Sequence, residues 1–169
     1  MNATMSPLFA EGPASDDPAL MMYGRFVGEW AVRNRDRPAP DAPWRESTRR
    51  WVFAWVLGGR GVQDILVPDA GEEPVASGTT VRVYDPAIGA WRVEWFGTLH
   101  GDYVSLLGRP LGADGIRQEG VARVADGDVP IRWDFSAITE HSFAWDGWSS
   151  PDGGASWWHE QHMDCTRVA

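Results

Sequence analysis

The stretch from Ser142 to Arg167 reads S-F-A-W-D-G-W-S-S-P-D-G-G-A-S-W-W-H-E-Q-H-M-D-C-T-R, two alternating runs either side of Ser149-Ser150-Pro151-Asp152-Gly153-Gly154-Ala155. Pro151 presets φ for the start of a turn, Asp152 can bond its own backbone two residues on, and Gly153 and Gly154 tolerate positive φ. The spacing therefore predicts an antiparallel hairpin. In its second run Trp157, His159, Gln161 and Met163 fall on one face, and Trp158, Glu160, His162 and Asp164 on the other. The second set carries two acids and suits water better, so the odd-numbered face is expected to be buried. That puts a histidine and a glutamine among tryptophans inside the protein.

The rest of the chain repeats the same grammar. From residue 28 onward nearly every segment alternates and ends in Gly, Pro, Asp or Asn, the mark of many short antiparallel strands. About ten strands are predicted, roughly over 28–35, 45–57, 60–67, 77–84, 91–97, 100–107, 115–124, 130–138, 141–149 and 156–167. The links between them are short, so sequential neighbours should pair as an up-and-down meander. Closing such a sheet buries one face and removes its edges, which makes the expected fold an all-β, antiparallel up-and-down β-barrel, with a two-sheet sandwich as runner-up. Ahead of the first strand, Asp17 as N-cap, Pro18, and then Leu20, Met21, Tyr23 and Phe26 predict a short helix that plugs one end. Residues 1–16 are small, polar and Pro/Gly-rich and read as a flexible tail, leaving 17–169 as a single barrel domain.

Composition narrows the chemistry. The chain has 169 residues and a net charge of -9, which argues against nucleic acid or an anionic membrane as partner. All fifteen basic residues are arginine. Without lysine the chain can form no Schiff base and lacks a P-loop lysine. The single cysteine, Cys165, permits no internal disulfide and suits a reducing cytoplasm. The N-terminus has no basic region followed by a long apolar run, and no apolar stretch reaches about 18 residues. A soluble, unprocessed, cytoplasmic protein is expected, with a homodimer left open.

Polarity along each strand sets the expected inner face. Trp51, Phe53, Trp55 and Leu57 share a face, as do Val81 and Val83, then Trp91, Val93 and Trp95, then Ile131, Trp133 and Phe135, then Phe143 and Trp145. Opposite them lie Arg50, Arg82, Arg92, Glu94, Arg132, Asp134 and Asp146. Large rings thus dominate the lining, and a small barrel has room either for filling side chains or for one ligand. The polar groups that could face a ligand are Arg49, Gln63 or Asp64, His100, Tyr103, His159 and Gln161. Of these His159 is the best single candidate for acid–base work, because Gln161 follows it on the same face and could orient the same molecule. Metal binding is not expected, since residues three apart such as His159 and His162 should sit on opposite faces of a strand, and no H-x-H or H-E-x-x-H pattern occurs. There is no G-x-S-x-G elbow for a hydrolase. Gly58-Gly59-Arg60-Gly61 joins two strands and reads as a turn, and Asp126-Gly127-Asp128 lacks the spaced oxygens of an EF-hand.

Gly28-Glu29-Trp30, just after the helix and opening the first strand, resembles the G-x-W signature of lipocalins and their calycin relatives. The resemblance implies that an arginine from the end of the barrel packs over the signature tryptophan, and Arg167 is the matching residue. The longer pattern of G-E-W, W-V-L-G-G-R, Y-D-P followed by W, and S-P-D-G-G-A-S-W is similar to a group of uncharacterised bacterial lipocalin-like domains and spans residues 24 to 167. The strand count departs from the eight of typical lipocalins and is closer to fatty-acid-binding proteins or to the haem-binding nitrobindins. The expected function is binding of a small, largely apolar or aromatic molecule inside the barrel, without a cofactor, by Trp51, Phe53, Trp55, Gln63, Trp95, Trp133, Trp145, Trp157, His159 and Gln161. A cofactor-independent isomerase or cyclase acting in the same cavity is one alternative. The second is haem binding of the nitrobindin kind, for which His162, five residues before Arg167, resembles the ligand in spacing.

Overall fold

The computed structural model describes residues 8–68, 78–98 and 103–168. Its strands are β1 (Gly28–Asp36), β2 (Arg45–Val56), β3 (Gly61–Pro68), β4 (Gly78–Asp85), β5 (Ala90–Gly97), β6 (Tyr103–Leu111), β7 (Gly115–Val124), β8 (Gly127–Ser136), β9 (Ser142–Ser149) and β10 (Trp158–Arg167). Each pairs antiparallel with its neighbours in sequence, and β1 also pairs with β10, so the sheet closes into a barrel as expected. Closure satisfies both edges of every described strand, which a sandwich would not do.

One end of the barrel is stoppered from within. Asp17 caps a 3₁₀ turn, Pro18–Leu20, by accepting from the Ala19 N–H at 2.9 Å, and the chain runs straight into α1 (Met21–Gly24). This short helix and the turn after it drop Tyr23 and Phe26 among the rings of the strand ends. Tyr23 meets Trp91 edge-on at 5.0 Å, and Phe26 lies 5.0 Å from Phe135 and 4.8 Å from Phe143. Rings at such spacings gain contact energy beyond the area they bury. Gly24 allows the helix to lie this close, because a Cβ there would fall 2.3 Å from the Trp55 ring. Below the plug, the Trp30 indole donates to the Phe26 carbonyl at 2.7 Å.

The alternating residues of β2, β5, β8 and β9 point inward as their polarity predicts: Trp51, Phe53, Trp55, Trp91, Val93, Ile131, Phe135, Phe143 and Trp145 are all buried. Two expectations fail. Leu57 leaves the strand at φ 53° and is exposed, in the 3₁₀ turn Leu57–Gly59. In β4 the faces are reversed: Thr80 and Arg82 are buried while Val81 and Val83 are only half-buried. The cause is Asp64, which faces inward from β3 and draws in the guanidinium of Arg82 as partner.

The hairpin between β9 and β10 turns as its residues dictate. Asp152 accepts from the Ser150 hydroxyl at 2.8 Å and from the Ser156 amide and hydroxyl at 2.9 and 2.6 Å, while Gly153 and Gly154 take φ of 75° and 102°. Those hydrogen bonds, the Ser156 hydroxyl first, hold the Asp152 carboxyl well below the usual carboxylate range. Part of the segment ahead of the helix is also paired. Ala10 donates to the Trp55 carbonyl at 2.9 Å and Ala14 to that of Gly59 at 3.0 Å. Among the described residues no helix is long and apolar enough to cross a membrane.

Candidate functional site: a tryptophan-lined cavity

The half of the barrel away from the plug encloses a cavity of about 390 Å³. Trp51 on β2, Trp95 on β5, Trp133 on β8 and Trp145 on β9 form its walls, joined by Leu66, Val104, Ile131 and Met163. The rings brace one another: Trp95 meets Trp133 edge-on at 6.1 Å, Trp133 lies 5.4 Å from Trp145, and Trp145 meets Trp51 edge-on at 6.4 Å. Glycine makes room for two of them. A Cβ on Gly78 would sit 2.1 Å from the Trp95 ring, and one on Gly147 would sit 2.9 Å from the Trp145 ring. The missing side chains let both indoles approach the backbone of β4 and β9 closely.

The floor is ionic, which the polarity pattern did not foresee. Arg82 is 1% exposed and bonds through Nη1 to Asp64 Oδ2, while the other Asp64 oxygen accepts from the Thr80 N–H at 3.0 Å. The guanidinium carbon lies 5.1, 5.5 and 6.0 Å from the ring centres of Tyr23, Phe53 and Phe135. A buried charge is tolerated when paired and cradled in this way. On the plug side the Tyr23 hydroxyl donates to Gln118 Oε1 at 3.1 Å. Burial pushes the Tyr23 pKa up, against the lowering influence of nearby Arg82, so the phenol stays protonated. Trp51 Nε1 and Arg82 Nε are buried N–H groups with no hydrogen-bond partner among the described residues, and both are shut off from the open space of the cavity.

Toward the far end of the cavity stand Ser149, Glu160 and Gln161, with Tyr103 and Arg123 across from them. Ser149 donates its hydroxyl to Glu160, and Gln161 donates through Nε2 to Asn34 Oδ1 at 2.7 Å. The Tyr103 hydroxyl donates to Glu94 at 2.6 Å, and that bond, ahead of burial, raises its pKa.

The expected ligand set divides between this cavity and other places. Trp51, Trp95, Trp133, Trp145 and Gln161 line it. Phe53 and Trp55 are buried nearer the plug, where Phe53 packs on Phe26 at 5.8 Å and Trp55 lies under Gly24. Gln63 alternates with inward Val62 and Asp64, so it points outward and donates to the Thr79 hydroxyl at 3.0 Å. Trp157 lies ahead of β10 with its ring 4.3 Å from the guanidinium carbon of Arg132, on the outer wall. His100 falls outside the described residues.

His159 is displaced for a local reason. The register of β10 against β9 steps from His159 opposite Trp148 to Gln161 opposite Gly147, so two residues of β10 face one of β9. This β-bulge at Glu160 breaks the alternation. Gln161, Met163 and Cys165 keep the inward phase, but His159 is turned outside, where its ring stacks on Trp148 at 4.4 Å. The same step brings His159 and His162 to one face, correcting the expectation that they oppose each other. With His162 opposite Asp146 on the outer wall, no histidine among the described residues lines the cavity. The cavity thus offers haem no imidazole from the described residues, and His162 does not fit the role that its spacing suggested.

Missed by sequence reasoning were Arg82 and Glu160 as lining groups, whereas Met163 lies on the face of β10 expected to be buried. Only Asp64 carried a signal, since it shares the phase of Val62 and Leu66.

No family model matches the chain, and no curated protein matches it. Among solved structures, the crystal structure of Rv2717c from M. tuberculosis is similar at a TM-score of 0.67 and 19% sequence identity, over 90% of this chain and 98% of that one. At that identity the likeness is one of fold.

Proposed function

We propose that the chain is a lipocalin-like (calycin) barrel that binds a small, flat, largely apolar or aromatic molecule. The observation that carries this reading is a cavity of about 390 Å³ walled by four indoles, with Gln161 among the polar groups at its far end. The indole faces supply affinity for a flat molecule through apolar burial. The Trp30–Arg167 pairing supports the calycin reading, because the resemblance implied that contact. An acidic, lysine-free chain with one unpaired cysteine suits a cytoplasmic binder of neutral or weakly polar molecules. The isomerase or cyclase alternative loses His159 as its proton carrier, and Glu160 is the remaining carboxyl of the lining.

Tryptophan fluorescence tests the reading directly. Titration with a panel of flat aromatic ketones and quinones should quench emission saturably, since four of the eleven tryptophans line the cavity. Gln161→Ala should weaken binding by roughly five- to two-hundred-fold, the range set by one unpartnered polar group. No saturable response across the panel would overturn the proposal, and so would unchanged affinity in both Gln161→Ala and Trp133→Ala.

A further inference from the structure

The bulge that expels His159 from the barrel also assembles a polar cluster on the outer wall. His159 Nε2 and His162 Nδ1 each lie 2.7 Å from the same oxygen of Asp146, and the three donor atoms all fall within 4.8 Å of one another. The His162 contact is aligned as a hydrogen bond. That of His159 is close in distance but off-line in direction, so Nε2 is buried and unsatisfied as a hydrogen-bonding group. Two imidazoles and one carboxylate converging on a point, with one nitrogen lacking an aligned partner, is poor hydrogen-bonding geometry. It is a good donor set for a metal ion.

We propose that Asp146, His159 and His162 form a binding site for zinc or a similar borderline divalent cation, with a fourth position open to water or a small anion. Zinc bonds nitrogen and oxygen at about 2.0–2.2 Å, which places tetrahedral ligand atoms roughly 3.3 Å apart. The carboxylate has to withdraw by less than about 1 Å to admit it, a change within reach of its own side-chain rotation. Nitrogen with oxygen donors and no thiolate favours zinc, copper(II) or nickel over calcium or magnesium.

The surroundings hold both rings in place. The His159 imidazole lies between the Trp148 face at 4.4 Å and the Trp44 edge at 5.3 Å, and Arg37 Nε donates to the His159 carbonyl at 2.8 Å. His162 presents Nδ1 to the site while its Nε2 lies 3.2 Å from Asp164 Oδ1, the carboxylate–histidine pairing that fixes a metal-bound imidazole. Side-chain exposures of 26, 18 and 22% for His159, His162 and Asp146 place the cluster at the outer surface, with the donor atoms turned toward one another. The site faces away from the cavity, so it stands independently of the proposed ligand.

The test is a competition titration of untagged protein with zinc against a colorimetric chelator, together with the visible spectrum of the cobalt(II) form. Wild-type protein should take up one zinc per chain and give the intense bands of low-coordinate cobalt. His159→Ala, His162→Gln and Asp146→Asn should each weaken zinc binding by tenfold or more and remove those bands, whereas Gln161→Ala inside the barrel should leave both unchanged. Asp164→Asn should weaken binding by about tenfold, as outer partners of ligating histidines do. Circular dichroism establishes that each variant is folded. No uptake by wild-type protein, or retained affinity in folded His159→Ala and His162→Gln, would overturn the proposal. Loss of zinc binding with intact ligand quenching would separate this site from the cavity.

Discussion

The guanidinium carbon of Arg167 stands 4.1 Å above the centre of the Trp30 ring, and the same group donates to the carbonyls of Glu140, Val27 and Arg25 at 2.8, 2.9 and 2.8 Å. One side chain from the last strand thereby clasps the end of the plug, the β8–β9 connection and the first strand. Arg167→Ala leaves three carbonyls short of a donor and removes the cation over the indole, for a loss of about 2–4 kcal/mol. Arg167→Lys should recover less than half of it, since an ammonium cannot fork to three acceptors. Urea unfolding followed by circular dichroism measures both.

The Arg82–Asp64 pair gives a second expectation, because neither charge can reach water. Arg82→Met alone strands a buried carboxylate and should cost about 3–5 kcal/mol, while the double variant Arg82→Met/Asp64→Leu should be more stable than that single one. A double variant less stable than both singles would show that the pair itself, and not its burial, dominates.

Gly78 is a test of what keeps the cavity hollow. Its missing methyl would lie 2.1 Å from the Trp95 ring, so Gly78→Ala should drive that indole toward the centre. Ligand quenching should weaken by tenfold or more, equivalent to about 1.4 kcal/mol, with the fold retained by circular dichroism. Unchanged binding would mean that Trp95 moves elsewhere.

The β9–β10 turn should respond to acid. The Asp152 carboxyl is held low by its bonds to Ser156 and Ser150, so the ionised form favours the folded state. Its contribution is full above the ordinary carboxylate value of about 3.9 and is lost as pH falls through the lower folded value. Asp152→Asn should therefore lower the melting temperature at neutral pH, and the gap to wild type should close in strong acid. A gap that persists there would assign the effect to geometry instead of charge.

Burial raises the pKa of the Cys165 thiol, with Asp164 adding to the effect. The thiol should resist a disulfide reagent at pH 8 in native protein and react at once in urea, because only the thiolate attacks. Rapid reaction without denaturant would place Cys165 in a mobile part of the barrel.

The barrel was legible because each strand announces its own period and its own stop. The G-E-W motif located the first strand, and the resemblance it carries named Arg167 as the partner of Trp30. What failed was phase. Val81 and Val83 look like core and Arg82 like surface until β3 supplies Asp64, eighteen residues earlier in the chain and adjacent only through register. In β10, the run Trp157 to Met163 alternates without a break on paper, and only pairing with β9 shows two residues spent against one. Local polarity assigns a face to each residue separately, whereas burial of a charge or a break in register depends on the neighbouring strand.

The bulge at Glu160 makes β10 a strand with two addresses: residues after it belong to the interior in odd positions, and His159 before it belongs to the outside. Adding or removing one residue between Trp158 and Gln161 would exchange those assignments without altering any residue type. Such a change of length could carry His159 into the cavity, dissolve the outer cluster, and leave the other nine strands as they are.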